Sequence, residues 1–297
     1  MKASSPFCAL YCFLILFISA SCSDKKDEPE QVKLESFASV AGVNYIDNFI
    51  LPEFNKYGLT TILLDCSIHD DINNRDWSYN VVLPPDYNPE ETYPVIYLLH
   101  GKTCDSDKWI TSLHIDEIFD YYYSQGFPPL IAVMPNADDS YYVDDYLDDI
   151  KYESFFTQIF LPEIENKFPV ATAKSGRFIG GFSMGGYGAA YYSIKYPDLF
   201  SFCYSMSAPL GGRNSVTTPS IPSLLLNLEP SDYPEMIFDI GVDDSFLSIN
   251  IEAHLSMLLL KFPHEFIIRE GGHNVQFWRE SLCILLSRLH SFLESTI

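Results

Sequence analysis

The chain has 297 residues, 47% of them apolar and 15% aromatic, a composition that buries a sizeable core and excludes a disordered protein. With 40 acidic against 18 basic side chains the formal charge is -22, which repels phosphate backbones and anionic lipid headgroups, and no basic patch interrupts it. Nucleic acid is excluded as a partner on this ground, and neutral or cationic ligands are favoured.

At the N-terminus, Lys2, the apolar stretch Phe7 to Ile18 and the small residues Ser19-Ala20-Ser21 before Cys22 read as an export signal. The apolar stretch is too short to span a bilayer comfortably. Small residues directly before a cysteine resemble a bacterial lipoprotein signal, with Cys22 as the lipidated first residue of the mature chain, although Ser19 stands where that signal usually has Leu. An ordinary cleaved secretory peptide is the alternative. The charged, Pro-containing stretch that comes next cannot bury apolar surface and reads as a tether, similar to the acidic export tag of surface lipoproteins in Bacteroides-like bacteria. The expected organisation is a signal over 1–22, a tether over 23–36 and one domain over 37–297. The expected location is the outer membrane or cell surface through a lipid anchor on Cys22, the sole membrane contact, with a periplasmic or secreted protein as the alternative.

In chain order, Thr60 to Ile68 and Trp77 to Leu83 are rich in strand-forming residues and predict an antiparallel pair joined by a polar turn. Val95 to Leu99 is a continuous apolar run of the kind expected for a strand buried on both faces. Strand and helix then alternate: a helix over Trp109 to Gln125, a strand over Leu130 to Met134, a helix over Glu153 to Phe168, a strand over Arg177 to Gly180, a helix over Gly185 to Lys195 and a strand over Phe200 to Met206. After a loop-rich stretch come the strand Met236 to Ile240, a helix over Ile249 to Lys261, the strand Glu265 to Arg269 and a last helix over Val275 to Glu294. Such alternation implies an α/β fold, a mostly parallel central sheet with helices on both faces and antiparallel strands at its N-terminal end. Beyond the signal, Cys66, Cys104, Cys203 and Cys283 have no metal-ligand spacing, and Cys203 and Cys283 read as small buried residues.

Gly181-Phe182-Ser183-Met184-Gly185 follows a predicted strand and opens a predicted helix, the setting in which a Gly-x-Ser-x-Gly pentapeptide makes a sharp turn exposing a nucleophilic hydroxyl. A serine needs a base held in one tautomer by an acid. In the α/β-hydrolase chain order the acid and then the histidine follow the serine. Of seven histidines, His69, His100 and His114 precede Ser183, His254 and His290 lie in helical patterns, and His264 begins a strand. His273 lies in a loop after Gly271-Gly272 and is the candidate base. Asp244 is the candidate acid, with Asp239 and Asp243 as alternatives. The backbone N–H groups of Met184 and of Lys102, after His100-Gly101, are the candidate oxyanion donors, Gly101 being the alternative to Lys102. His100 is expected to pack and orient its loop.

These segments resemble the esterase D branch of α/β-hydrolases, which includes family 1 carbohydrate esterases, S-formylglutathione hydrolases, mycolyltransferases and tributyrin esterases. The similarity runs from about Trp77 to the end and is carried by Tyr93 to Gly101, Ile179 to Ala189, Asp244-Ser245-Phe246-Leu247 and Gly271 to Arg279. It implies hydrolysis of carboxylic esters without a cofactor or metal, with Ser183, Asp244 and His273 as the triad, on small-molecule or polysaccharide esters of acetyl or feruloyl type. Asn274 and Val275 stand where relatives often carry Asp and Trp. An acyltransferase with the same triad, a peptidase of related fold and a non-catalytic glycan-binding lipoprotein are the competing readings. Trp109, Tyr141 and Tyr142 are expected in loops that rim the site, suited to stacking on sugar or phenolic groups. The pairs Asp138-Asp139, Asp144-Asp145 and Asp148-Asp149 read more simply as a solvated loop than as a calcium site. The oligomeric state is not legible.

Overall fold

A computed structural model describes residues 42–46, 49–54, 57–145, 149–212, 218–227 and 233–296. The expected signal, Cys22 and the tether lie outside these residues, as does Asp148. In the described residues no helix is long and apolar enough to cross a membrane.

The elements are β1 (Val43–Ile46), β2 (Thr61–Asp70), β3 (Arg75–Leu83), β4 (Val95–Leu99), α1 (Lys108–Thr111), α2 (Ile115–Ser124), β5 (Ile131–Pro135) and the short hairpin β6 (Asp144–Asp145) and β7 (Ile150–Lys151). Then come α3 (Tyr152–Phe155), a π-helical turn (Phe156–Phe160), α4 (Leu161–Lys167), β8 (Arg177–Phe182), α5 (Met184–Lys195) and β9 (Phe202–Met206). The chain closes with α6 (Ile221–Leu224), β10 (Glu235–Gly241), α7 (Leu247–Leu259), β11 (Glu265–Arg269) and α8 (Val275–Thr296). Nine of the strands form one sheet in the order β1-β11-β10-β9-β8-β4-β5-β3-β2. Neighbours pair in parallel from β1 to β5, while β3 runs antiparallel to both β5 and β2.

Both faces of the central strands are covered, which is why Val95–Leu99 carries no polar alternation. On one face Ile96, Leu98, Phe178, Phe182, Tyr204 and Ile237 join the cluster built with α2 and α8. On the other, Tyr97 meets Phe156, Phe160 and Phe200, and Phe156 stacks on Tyr192 of α5 at 4.6 Å.

Three local expectations are corrected. The single helix over Trp109 to Gln125 is two, because His114 takes a left-handed φ of 53° and turns the chain between them. The helix over Glu153 to Phe168 contains a π turn just before Pro162, whose missing N–H removes a donor to the preceding turn, so the helix widens there. Strand β1 has no counterpart in the sequence reading. It lies at the edge beside β11, and its four residues, two apolar and two polar or aromatic, give too short a pattern to read.

Candidate active site

Strand β8 ends at Phe182 and α5 begins at Met184, so Ser183 occupies the turn between them with φ 55° and ψ -120°, a conformation that L side chains adopt only at a cost. The turn is held by the Ser183 N–H donating to the Met206 carbonyl of β9 at 2.8 Å. It closes so tightly that a Cβ on Gly185 would lie 2.0 Å from the Leu99 carbonyl oxygen. Glycine at that position is therefore a steric requirement of the approach of α5 to β4.

His273, on the loop between β11 and α8, places Nε2 2.9 Å from Ser183 Oγ. Its Nδ1 lies 2.9 Å from Asp244 Oδ2, on the loop after β10. Asp244 is buried, and its second oxygen accepts the Phe246 N–H at 2.9 Å, so the carboxylate is fixed at both ends. The three side chains come from the carboxyl ends of β8, β10 and β11, where ligands collect in open α/β sheets. The alternative acids are otherwise engaged. Asp239 points towards α8 and accepts from Arg269 Nε at 3.1 Å, Ser281 Oγ at 2.7 Å and the Tyr204 hydroxyl at 3.0 Å. Asp243 is exposed, and its N–H holds the Gly271 carbonyl at 2.9 Å.

The loop after β4 lies against the nucleophile: a Cβ on Gly101 would be 3.3 Å from the Ser183 Cβ. Lys102 comes next, exposed, and its turn is fixed by the Thr103 N–H donating to Asp139 at 2.7 Å and the Cys104 N–H donating to Gly101 O at 3.2 Å. His100 is fully buried, accepts the Ala137 N–H at Nε2 (2.9 Å) and donates from Nδ1 to Gly101 O (2.8 Å). Burial lowers its pKa, which suits the neutral ring that this pair of bonds requires. His100 thus orients the loop and takes no part in the relay.

The expected aromatic rim is corrected at two of its three positions. Trp109 is fully buried and packs edge-on against Phe182, with centroids 5.0 Å apart. Tyr142 is fully buried and donates its hydroxyl to the His100 carbonyl at 2.9 Å. Each packs against a residue next to the nucleophile or its neighbouring loop instead of rimming the site. Tyr141, half-buried with a left-handed φ of 56°, meets Tyr187 at 6.1 Å. Two residues that sequence reasoning did not single out flank the imidazole edge-on: Phe246 at 5.2 Å and Trp278 at 5.1 Å. Trp278 also stacks on Phe182 at 4.5 Å, so one line of rings joins the nucleophile strand to the histidine loop. Both lie in the segments that carried the resemblance, yet nothing in their spacing marks them as ring partners of His273.

Of the aspartates considered for calcium, Asp138 pairs with Arg75 at 2.9 Å and Asp144 accepts from Ser154 Oγ at 2.5 Å. Among the described residues no group of three or more His, Cys, Asp or Glu side chains is arranged to hold a metal ion. The described cysteines are free thiols, and burial pushes Cys203 and Cys283 up to about 12.

A family profile described as "Putative esterase" matches residues 71–288. The chain belongs to this esterase family. An esterase of Mycobacterium tuberculosis is 35% identical over 140 residues, which cover 45% of this chain and 29% of the relative, so the chain matches under a third of that protein's length. An acetyl esterase of Caldicellulosiruptor saccharolyticus is 29% identical over 220 residues, 64% of this chain and 80% of that one. Among solved structures, a ferulic acid esterase superposes with a TM-score of 0.69 at 29% identity, covering 77% of this chain and 96% of the other. With the sheet order, the structural likeness shows that the chain has the α/β-hydrolase fold.

Proposed function

We propose that this esterase-family chain hydrolyses carboxylic esters through an acyl-enzyme on Ser183. The observation that carries the reading is the relay Asp244–His273–Ser183, closed by two 2.9 Å contacts between groups supplied by three separate loops. His273 Nε2 takes the serine proton as the hydroxyl attacks the ester carbonyl, then returns it to the leaving alcohol. Asp244 keeps the remaining ring proton on Nδ1 and stabilises the imidazolium. The amides of Met184, at the start of α5, and of Lys102 receive the charge that develops on the carbonyl oxygen. The His273 side chain is 28% exposed, which leaves the imidazole open to the water that it would activate for deacylation.

For the substrate we infer acetyl or feruloyl groups on carbohydrate, a reading supported by the similarity to an acetyl esterase and a ferulic acid esterase. For location we infer export and lipid anchoring through Cys22, on the sequence Ser19-Ala20-Ser21-Cys22. Labelling by a fluorophosphonate probe that is lost in Ser183→Ala, with turnover of a panel of acetyl, butyryl and feruloyl esters, tests the chemistry. An unlabelled protein that still binds glycans would make it a binding protein instead. Incorporation of a radiolabelled fatty acid in expressing cells, abolished by Cys22→Ala, tests the anchor.

A further inference from the structure

A cleft of about 390 Å³ opens at the carboxyl ends of β1 and β11. Residues on both sides of His273, Gly271 and Asn274, form part of its wall, and Ile46, Phe49 and Ile50 line it as well. The Asp244–His273–Ser183 relay does not use it, but the proton path gives it a direction. In ester cleavage the histidine protonates the departing alcohol, so the alcohol half of the substrate leaves beside His273, and the loop carrying that residue is also the wall of the cleft. The volume falls within the range of small-molecule sites.

The lining selects the chemistry of the occupant. Arg269 is the one cation among the described lining residues, and its guanidinium is committed to Asp239 at 3.1 Å and Glu280 at 2.6 Å. No positive charge is left to hold an anion, and the remaining ionised group at the rim, Glu270, repels one. Two side-chain amides are oriented in advance. Asn274 Oδ1 accepts the Phe277 N–H at 3.0 Å, which leaves its NH2 group as a donor. Gln276 Nε2 donates to Glu280 Oε1 at 2.8 Å, which leaves its own oxygen as an acceptor. An amide donor and an amide acceptor in a cleft that is also lined by apolar side chains suit a neutral ring with hydroxyls at its edge and carbon–hydrogen faces. The geometry points to this cleft as the subsite for a sugar unit of the alcohol half of the ester. The assignment rests on the proposed ester hydrolysis at Ser183.

The test compares the full chain and Gln276→Ala on 4-nitrophenyl acetate, which has no sugar, and on partially acetylated xylo-oligosaccharides, with calorimetric binding of unacetylated xylotriose to the Ser183→Ala chain as a second arm. Gln276 is exposed, so its truncation leaves the fold intact. Loss of one oriented hydrogen bond raises KM for the oligosaccharide about three- to tenfold while kcat/KM for 4-nitrophenyl acetate stays unchanged. An unchanged KM for the oligosaccharide, or equal losses on both esters, overturns the subsite and leaves the hydrolase reading standing. Hydrolysis of the small ester together with no turnover of the oligosaccharide and no xylotriose binding does the same. Conversely, xylotriose binding that weakens in Ser183→Ala/Gln276→Ala, in a protein that cleaves neither ester, supports the cleft and removes the hydrolase.

Discussion

Replacing Asp244 by asparagine keeps the volume of the side chain and removes its charge, and the surrounding contacts set the size of the effect. One oxygen of Asp244 accepts the Phe246 N–H and the other faces His273 Nδ1, each at 2.9 Å. If the asparagine keeps its oxygen on Phe246, its NH2 group points at Nδ1 and forces the ring proton onto Nε2, where it blocks uptake of the serine proton. Flipping the amide restores the active tautomer but sets NH2 against the Phe246 N–H, a buried donor left unsatisfied at about 1–3 kcal/mol. The imidazolium of the transition state also loses a carboxylate at contact distance, about 2–4 kcal/mol at the effective dielectric of a partly buried site. Together these amount to about 3–7 kcal/mol, or roughly two to five orders of magnitude in kcat, a span that includes the ~10⁴-fold effect of the same change in serine proteases. KM on 4-nitrophenyl acetate and the melting temperature should stay near those of the parent, since Asp244 sits behind the imidazole. Exposed Asp243→Asn is the control and should keep full turnover. Activity of Asp244→Asn within tenfold of the parent, or an equal loss in Asp243→Asn, would refute the relay.

Other outcomes are set by the packing around the site. Gly185→Ala puts a methyl 2.0 Å from the Leu99 carbonyl oxygen, between two backbones that cannot part without unpairing β4 from β8, so the urea midpoint should fall by the equivalent of about 3 kcal/mol and probe labelling should fail. Arg269→Met strands the buried Asp239 carboxylate, and denaturant unfolding should register a loss of about 3–5 kcal/mol; a loss under about 1 kcal/mol would mean that the pair is dispensable. Burial lowers the pKa of His100 and of His264 below 6.5, so below that pH the unfolded chain binds protons that the folded one refuses. The stability both contribute is complete above pH 6.5 and declines as pH falls through the window beneath it. The melting temperature should drop between about pH 7.5 and 5.5, and His264→Gln, which removes one of the two groups, should make that drop smaller.

Features that local sterics and hydrogen-bonding chemistry dictate were legible in the amino-acid order alone. A glycine-flanked serine between an apolar run and a helical one makes a strand-to-helix turn wherever it occurs, and the continuous apolar character of Val95 to Leu99 requires cover on both faces. The order of Ser183, a later aspartate and a loop histidine was legible because the fold imposes that order along the chain. Left to the tertiary structure were the questions that depend on which way a side chain faces and what lies opposite it. Asp239, Asp243 and Asp244 are chemically alike and close in the chain, and they are told apart by Arg269 and His273, which arrive from distant segments. Trp109 and Tyr142 look like surface aromatics in loops, but Phe182 at the end of β8 and the His100 carbonyl just after β4 meet them and draw them inside. Strand β1 exists because β11 offers an unpaired edge, and a partner more than two hundred residues away leaves no periodicity in four residues. The cleft beside His273 joins the end of β1 and residues 49–50 to the end of β11, the loop after it and α8, and for that reason no single stretch of sequence contains it.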